Sequence, residues 1–475
     1  MTMLDVRDRS WSWIVRHGLL PAGDRLYGQR MMQRLALLER TQWWPPERVH
    51  AHRDAAVRAL IHTAYHEVPF YRRLLREAGV EPADITGAAD LARLPIVTKD
   101  MMRAAYPHDM ARCTGFRVYE VCSSGSTGAN FFVLEDSETA GWWRASLLLA
   151  FEWAGWRIGE PHMQTGMTLR RTDGRALKDL LLRCHYVSAY DLTDAHLDAA
   201  LAALDRHGLT HLRGYPGSVY HLARRAVEAG WNIPLRSVAT WGDTLFPHYR
   251  ETIERAFGAR VFDLYGIGEG MQVAAQCGAG QSYHVHALDV VVDVVDDAGD
   301  PVPPGIPGHL ILTRLHPGPM PLIRYRVGDI GVVRDTPCAC GRGFDVLESV
   351  QGRDTDIVLT PSGNRLIVHF FTGVLEHFPE ISAFQVVQTE ADAIAVRVVP
   401  AGTFGAETRE RIVARLREKG AAELRIDVEP VPEIPVAPSG KRRFVISDYA
   451  KRHYAAAQRA PAREASHHHR TPTGR

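Results

Sequence analysis

Apolar positions along the chain change period near residue 120. Residues 1–60 read as helical, rich in arginine and carrying Trp11, Trp13, Trp43 and Trp44. The spacing over 51–80 predicts one or two amphipathic helices broken at Pro69, where a proline ends or kinks a helix. After residue 120, strand-like apolar runs such as Phe131–Leu134 and Val261–Leu264 alternate with helical stretches such as Asp194–His207 and Val219–Ala229. That alternation predicts an α/β fold of layered, largely parallel sheets. Ala287–Arg334 departs from it, being rich in Val, Asp, Gly and Pro with turns at Asp296–Asp300 and Pro303–Gly308. A β-rich subdomain over about 287–350 is expected there.

A second change comes at Arg353. Beyond it lie a strand-like segment (Asp356–Leu359), a helix (Phe370–His377), alternating strands (Ala383–Val387, Ala393–Val399) and a helix (Glu407–Lys419). The expected organisation is a large N-terminal domain over 1–352 and a hinge at 353–357. A small mobile α+β domain over 358–455 and a disordered polar tail over 456–475 would follow.

The chain has 475 residues, more than one core usually serves, which agrees with two or more domains. Its 56 basic and 55 acidic residues leave a net charge of +1. That balance gives no electrostatic case for nucleic acid or an anionic membrane as partner. No apolar run approaches bilayer-spanning length, and the charged N-terminus does not read as a secretory signal. The expectation is a cytoplasmic enzyme. Its six cysteines are few for the length and read as thiols or metal ligands rather than disulfides.

Five motifs carry candidate chemistry. Ser123-Ser124-Gly125-Ser126-Thr127-Gly128 follows the apolar Val118–Val121, and its glycines and hydroxyls suit close approach to a polyphosphate. It lacks the Gly-Lys-Ser ending of a P-loop, and a flexible turn would look the same. Asp263–Glu269 (Asp-Leu-Tyr-Gly-Ile-Gly-Glu) is a strand running into a turn; Tyr265 could stack on a purine and Glu269 could hold Mg²⁺, or be a solvated acid. In Ile323–Asp329, Asp329 after a glycine turn could accept both hydrogens of a ribose diol, or simply close a turn. Gln351–Asp356 suits a hinge or a linker. Pro438-Ser439-Gly440-Lys441 places a lysine on a short turn near the end, where a solvated lysine is the plainer reading.

Taken together and in this order, the five motifs resemble the adenylate-forming superfamily of acyl-CoA synthetases, peptide-synthetase adenylation domains and luciferases. The chain is more narrowly similar to the phenylacetate–CoA ligase branch. The marks are Val68–Arg72, Leu94-Pro95-Ile96-Val97-Thr98-Lys99, Gly214-Tyr215-Pro216, Arg324-Tyr325-Arg326 and Cys338-Ala339-Cys340-Gly341-Arg342. The resemblance spans roughly 50–450 and implies that Ser123–Gly128 hold the ATP phosphates. It also implies that Gly242, Asp243, Tyr265 and Gly266 line the adenine, Glu269 binds Mg²⁺, and Asp329 and Arg353 hold the ribose. Lys441 would bridge carboxylate and α-phosphate. Two departures stand out. Gly128 is followed by Ala129-Asn130 where the superfamily often has Pro-Lys, and Thr355 stands at the hinge where an acid is frequent.

What the resemblance implies is ATP-dependent conversion of a carboxylic acid, aryl or arylacetic, to acyl-AMP and transfer to the thiol of CoA. The acceptor could instead be an amine, another nitrogen nucleophile, a hydroxyl or a carrier-protein thiol. A catalytically degenerate nucleotide-binding protein is the reading from another class. Tyr215 and Trp241 are pocket candidates, each equally suited to a core; a homodimer and a carrier-protein partner stay open. Cys277 and His284 with Cys338 and Cys340 form a Cys₃His set fit for closed structural Zn²⁺, with His286 a rival to His284 and buried free thiols the alternative. The branch carries similar Cys/His patterns.

Overall fold

The computed structural model describes residues 10–123, 131–166, 172–189, 192–353, 357–363, 365–375, 377–435, 443–450 and 452. Among these, no helix is long and apolar enough to cross a membrane.

Strands β1 (Tyr119–Ser123) and β2 (Phe131–Glu135) form an antiparallel hairpin in which Ser123 faces Phe131. The large sheet begins with β3 (His162–Gly166), β4 (Cys184–Ser188), β5 (His211–Gly214), β6 (Ser237–Trp241) and β7 (Val261–Ile267). Helices Asp173–Leu181, Asp194–Arg206, Pro216–Glu228 and Pro247–Phe257 connect them, and crossovers of that length make neighbouring strands parallel. The wheel turns over after Ile267. A short Gly-rich turn leads into β8 (Met271–Gln276), which runs antiparallel to β7 because so few residues cannot cross over. Then follow β9 (Tyr283–Val285), β10 (Val290–Val295), β11 (Pro307–Arg314), β12 (Tyr325–Arg334) and β13 (Val346–Arg353). The strand order is β10-β11-β12-β13-β9-β8-β7-β6-β5-β3-β4, eleven strands in one sheet. The β-rich stretch expected over 287–350 is therefore present but is not a separate sheet, since β13 pairs antiparallel with β9, which is joined through β8 to the parallel strands. Parallel strands make up only part of the whole.

The N-terminal helices pack against this sheet. Helix Pro46–Glu67 ends where Val68 turns extended before Pro69, and a new helix runs Pro69–Glu77. Tyr71 on that helix is fully buried; its hydroxyl donates to Pro321 O at 3.0 Å and accepts from Ile323 N at 3.1 Å. Further along, Val97 lies beside Tyr325 as a one-residue parallel bridge, donating to Arg324 O and accepting from Arg326 N, both at 2.9 Å. Arg324 has a positive φ of 48°, and its guanidinium donates to the carbonyls of Leu91, Ala92 and Leu94 at 3.1, 2.6 and 2.7 Å. The segment before the short helix Lys99–Ala105 is thus stitched to the start of β12.

Beyond Arg353, β14 (Ile357–Leu359) and β15 (Arg365–Ile367) make a hairpin. Strands β16 (Ile381–Glu390), β17 (Ala393–Pro400), β18 (Arg425–Pro430) and β19 (Val445–Ser447) form a second sheet in the order β18-β17-β16-β19. Their inner faces bury Val386, Val396 and Val398 against Phe371, Ile412 and Leu416 of the helices Val368–Leu375 and Ala406–Leu416. Phe246, just before the helix Pro247–Phe257, joins this cluster, its ring 5.3 Å from that of Phe444.

Tyr71→Phe deletes a hydroxyl that satisfies two buried backbone groups. It is expected to cost about 1–3 kcal/mol, read as a lower urea midpoint with unchanged slope. An unchanged midpoint would show that the helix is held by its apolar contacts alone.

Candidate active site

The carboxyl ends of the parallel strands, where α/β sheets commonly bind ligands, bring most of the described candidates together. At the end of β6, Gly242 has φ of 78°, and a side chain there would come within 2.9 Å of the Tyr215 ring. Glycine is therefore required twice over, by conformation and by space. Asp243 accepts the Thr244 amide at 2.9 Å. On β7, Tyr265 donates its hydroxyl to Asp329 Oδ2 at 2.7 Å. At Gly266 beside it a Cβ would meet Met271 O at 3.0 Å, a tight contact that the neighbouring backbone would have to relieve. Asp329 on β12 stands directly opposite Arg353 on β13. The tyrosine ring and the aspartate so form one unit, an apolar face joined to a carboxylate.

Glu269, in the β7–β8 turn, is 4% exposed. Tyr325 donates to its Oε1 at 2.8 Å, and Lys99 Nζ lies 3.2 Å from the same oxygen. Burial pushes this carboxyl up, but Lys99 and the Tyr325 hydroxyl outweigh burial, and the net shift is downward. Behind it, the fully buried Arg314 donates to the carbonyls of Glu269 and Gly270 and faces the carboxylates of Glu135 and Asp289. Arg314 thereby fixes the backbone of the turn, while Lys99 and Tyr325 fix the side chain. Lys99 belongs to a stretch quoted above only as a mark of resemblance, and Tyr325 to the Ile323–Asp329 motif, where it carries no role of its own; nothing local in the sequence signals that they meet Glu269.

Ser124, Gly125, Ser126, Thr127, Gly128, Lys441 and the hinge residues Asp354–Asp356 lie outside the described residues. Ser123 and Arg353 are placed by their backbones only, as the last residues of β1 and β13. Trp241 and Tyr215 have ring centroids 6.3 Å apart, and Trp241 also lies 5.8 Å from Phe151.

A second cluster lies on the far side of β8 and β9. The ligand atoms of Cys277, His284, Cys338 and Cys340 all fall within 4.8 Å of one another. Cys277 Sγ is 3.7 Å from Cys338 Sγ, and Cys340 Sγ is 3.2 Å from His284 Nε2. His286 is not in this group; it is buried and stacks on Trp153 at 5.1 Å. Arg342 ties the loop to the N-terminal helices, donating to Gln42 Oε1 at 2.8 Å, the same oxygen that accepts from Trp153 Nε1.

Residues 358–448 match the model of the CapK C-terminal domain. The chain is 24% identical over 438 residues to phenylacetate-coenzyme A ligase of Thermus thermophilus, covering 85% of this chain and 97% of that one. It is 21% identical over 397 residues to protein CapK of Staphylococcus aureus, covering 80% and 85%. The crystal structure of 2-hydroxyisobutyryl-CoA ligase in the postadenylation state superposes with a TM-score of 0.68 at 21% identity, covering 89% and 94% of the two chains. The chain therefore shares the fold of that CoA ligase. Its sequence is similar over most of its length to phenylacetate–CoA ligases.

The Glu269 carboxyl titrates below the ordinary glutamate value, about 4.3. Its ionised form therefore adds stability that is complete above that value and is lost as pH falls through the folded one. Tyr325→Phe raises the folded value, so acid destabilisation should begin at higher pH than in the wild type. Urea midpoints measured between neutral pH and the onset of acid unfolding check this; superimposable profiles would show that the hydroxyl does not hold the charge.

Proposed function

We propose that this protein uses ATP to activate a carboxylic acid as its acyl-AMP and then passes the acyl group to the thiol of CoA. The observation that carries the reading is the Tyr265–Asp329 hydrogen bond, with the buried Glu269 in the turn that follows the strand of Tyr265, in a chain similar over most of its length to phenylacetate–CoA ligases. The tyrosine face suits a purine, the carboxylate of Asp329 a ribose diol, and the buried carboxylate of Glu269 a divalent cation such as Mg²⁺. Mg²⁺ bound there would screen the charge that gathers at the phosphates.

The substrate carboxylate needs no strong base, because it is ionised at neutral pH. Its oxygen attacks the α-phosphorus, the bond to the bridging oxygen breaks, and pyrophosphate leaves with the electron pair. Two anions must approach each other, so preorganised positive charge is the main requirement. Lys441 is the residue proposed to meet carboxylate and α-phosphate. In the second step the thiolate of CoA attacks the acyl carbon and AMP departs. Motion of the small domain about 353–357 would exchange the groups facing the acyl carbon. An aryl or arylacetic acid is the substrate class proposed, with Tyr215, Trp241 and Phe151 the aromatic side chains nearest the strand ends.

A second reading changes only the acceptor, to an amine, a hydroxyl or a carrier thiol. The similarity to protein CapK, whose name specifies no CoA acceptor, is the reason to keep it. Pyrophosphate release measured across a panel of acids, with and without CoA, separates the two: CoA-stimulated AMP release supports the first, and stimulation by an amine alone supports the second. Lys441→Ala should lower acyl-AMP formation by about two to three orders of magnitude, comparable to removing a donor from a developing oxyanion, with the folded state unchanged. Undiminished pyrophosphate release would remove Lys441 from the mechanism.

The Cys277, His284, Cys338 and Cys340 set is proposed to hold structural zinc. The Cys277–Cys338 separation of 3.7 Å matches the edge of a tetrahedron with Zn–S bonds of about 2.3 Å. Bound zinc would cross-link the β8–β9 turn to the β12–β13 loop. Metal analysis should find one zinc per chain. Cys338→Ser should lose the metal and lower the thermal midpoint, and a metal-free wild type with the same midpoint would dismiss the site.

A further inference from the structure

The sheet face that carries Tyr215 and Trp241 also holds a buried charge. Arg213 is on β5, two residues before Tyr215, which prolongs the strand in extended conformation, so the two side chains project from the same face. Its in-register neighbours are Gln164 on β3 and Ala239 on β6, and Trp241 follows Ala239 by two residues on that face. Side chains of the helix Ser137–Trp153 and of the turn after it cover the guanidinium. Its carbon lies 4.1 Å from the ring centroid of Phe151 and 3.7 Å from that of Trp156. Phe151 is in turn 5.8 Å from Trp241, and Trp241 is 6.3 Å from Tyr215. The cation therefore sits beneath the aromatic residues proposed to receive the acid, further from the strand ends than they are.

We infer that Arg213 sets substrate specificity: its guanidinium pairs with a second carboxylate at the far end of the acid. The protein then takes an aryl or arylacetic dicarboxylate, activates one end and anchors the other. The inference rests on the ATP-dependent reading above. Arg213 is 5% exposed, and its Nε and Nη2 are enclosed without a hydrogen-bond partner among the described residues. The two aromatic faces attract the cation but leave the N–H edge of its plane unmet. Buried donors in that state are costly, and a carboxylate fits the guanidinium fork. The carboxylate whose charge bears on it, Glu160, is already engaged. It accepts from the Arg157 amide at 2.8 Å and from Arg236 Nη1 at 3.3 Å, and its Oε2 lies 3.3 Å from His211 Nε2. Burial pulls the guanidinium down to about 9, and the charges of Cys184 and Glu160 offset only part of that.

Distance suits this pairing. Two strand residues span about 6–7 Å, close to the separation of para substituents across a benzene ring. A ring lying beside Tyr215 and Trp241 would present one carboxylate at the strand ends, where ATP is proposed to bind, and the other to Arg213. The distal group makes and breaks no bond in either step. It fixes which end of the acid reacts, and it replaces the water that the buried cation has lost. A residue that only filled the space between Phe151 and Trp156 would need no charge.

Matched acids that differ only by the second carboxylate test this: phenylacetate against 4-carboxyphenylacetate, and benzoate against terephthalate, each scored by acid-dependent pyrophosphate release. Wild type should favour the dicarboxylate of a pair by roughly ten- to hundredfold in kcat/KM, the size of a charge-assisted contact. Arg213→Met should collapse that ratio towards one. Arg213→Lys, which keeps the charge but not the fork, should retain part of it. A purely structural role would lower both members of a pair together and leave the ratio standing, which overturns the inference. Wild-type protein that treats the members of each pair alike, or favours the monocarboxylates, also overturns it while leaving the adenylation reading intact, and that comparison needs no variant. Pyrophosphate release with none of the four acids overturns the inference together with the aryl or arylacetic substrate class beneath it.

Discussion

Glu269 carries a carboxylate into a place with almost no water, and an uncompensated charge there would be among the costliest features of the fold. Elements far apart in the chain meet to hold it. Lys99 comes from the N-terminal segment, Tyr325 from β12, and the carbonyl behind the side chain is taken by Arg314 from β11. Each of these is itself fixed by something else: Lys99 by the Val97 bridge and Arg324, Arg314 by Glu135 and Asp289. Order at the candidate site and order in the surrounding core are therefore one problem. A group that only completed a core would more cheaply be apolar, and retention of the charge points to a ligand that needs it.

The sheet explains how such residues come to one spot. Helical crossovers set the strands up to β7 parallel, so their loops open on one edge. After Ile267 the connections shorten and the remaining strands turn antiparallel, returning β12 and β13 to the same edge. The Asp329 and Arg353 backbones are thereby opposed, and the Asp329 carboxylate accepts from Tyr265. The loop bearing Cys338 and Cys340 belongs to the β12–β13 connection, and Arg342 secures it through Gln42. The Cys/His cluster thus lies toward the opposite end of β12 and β13 from the Asp329–Arg353 pair.

Several features were legible in the sequence because their cause is local. Pro69 breaks a helix wherever it stands, and the strands at Phe131 and Val261 follow from runs of apolar residues. The change at Arg353 marked the end of β13 because composition shifts there. The motif order was informative for the same reason that any one motif was not: Tyr265, Asp329 and Glu269 each have an ordinary reading alone, and only their succession along one chain favours a common site. Cys277, His284, Cys338 and Cys340 could be grouped by chemistry, although spacing left His286 level with His284.

Tertiary structure decided what depends on direction and on distance across the fold. Whether 287–350 would close on itself or continue the main sheet turned on the β9–β13 pairing, a contact between segments about sixty residues apart that no periodicity encodes. His284 faces Cys340 while His286 stacks on Trp153, because alternate residues along a strand differ in surroundings that only packing supplies. Lys99 is the plainest case. The sequence shows a lysine after a threonine cap, indistinguishable from any solvated helix start; a bridge to β12 more than two hundred residues later turns it toward a buried carboxylate. Residue types and local order were fixed by the chain itself, whereas the pairing of charges was fixed by the fold, since a charge acquires its partner only where distant backbone ladders bring the two together.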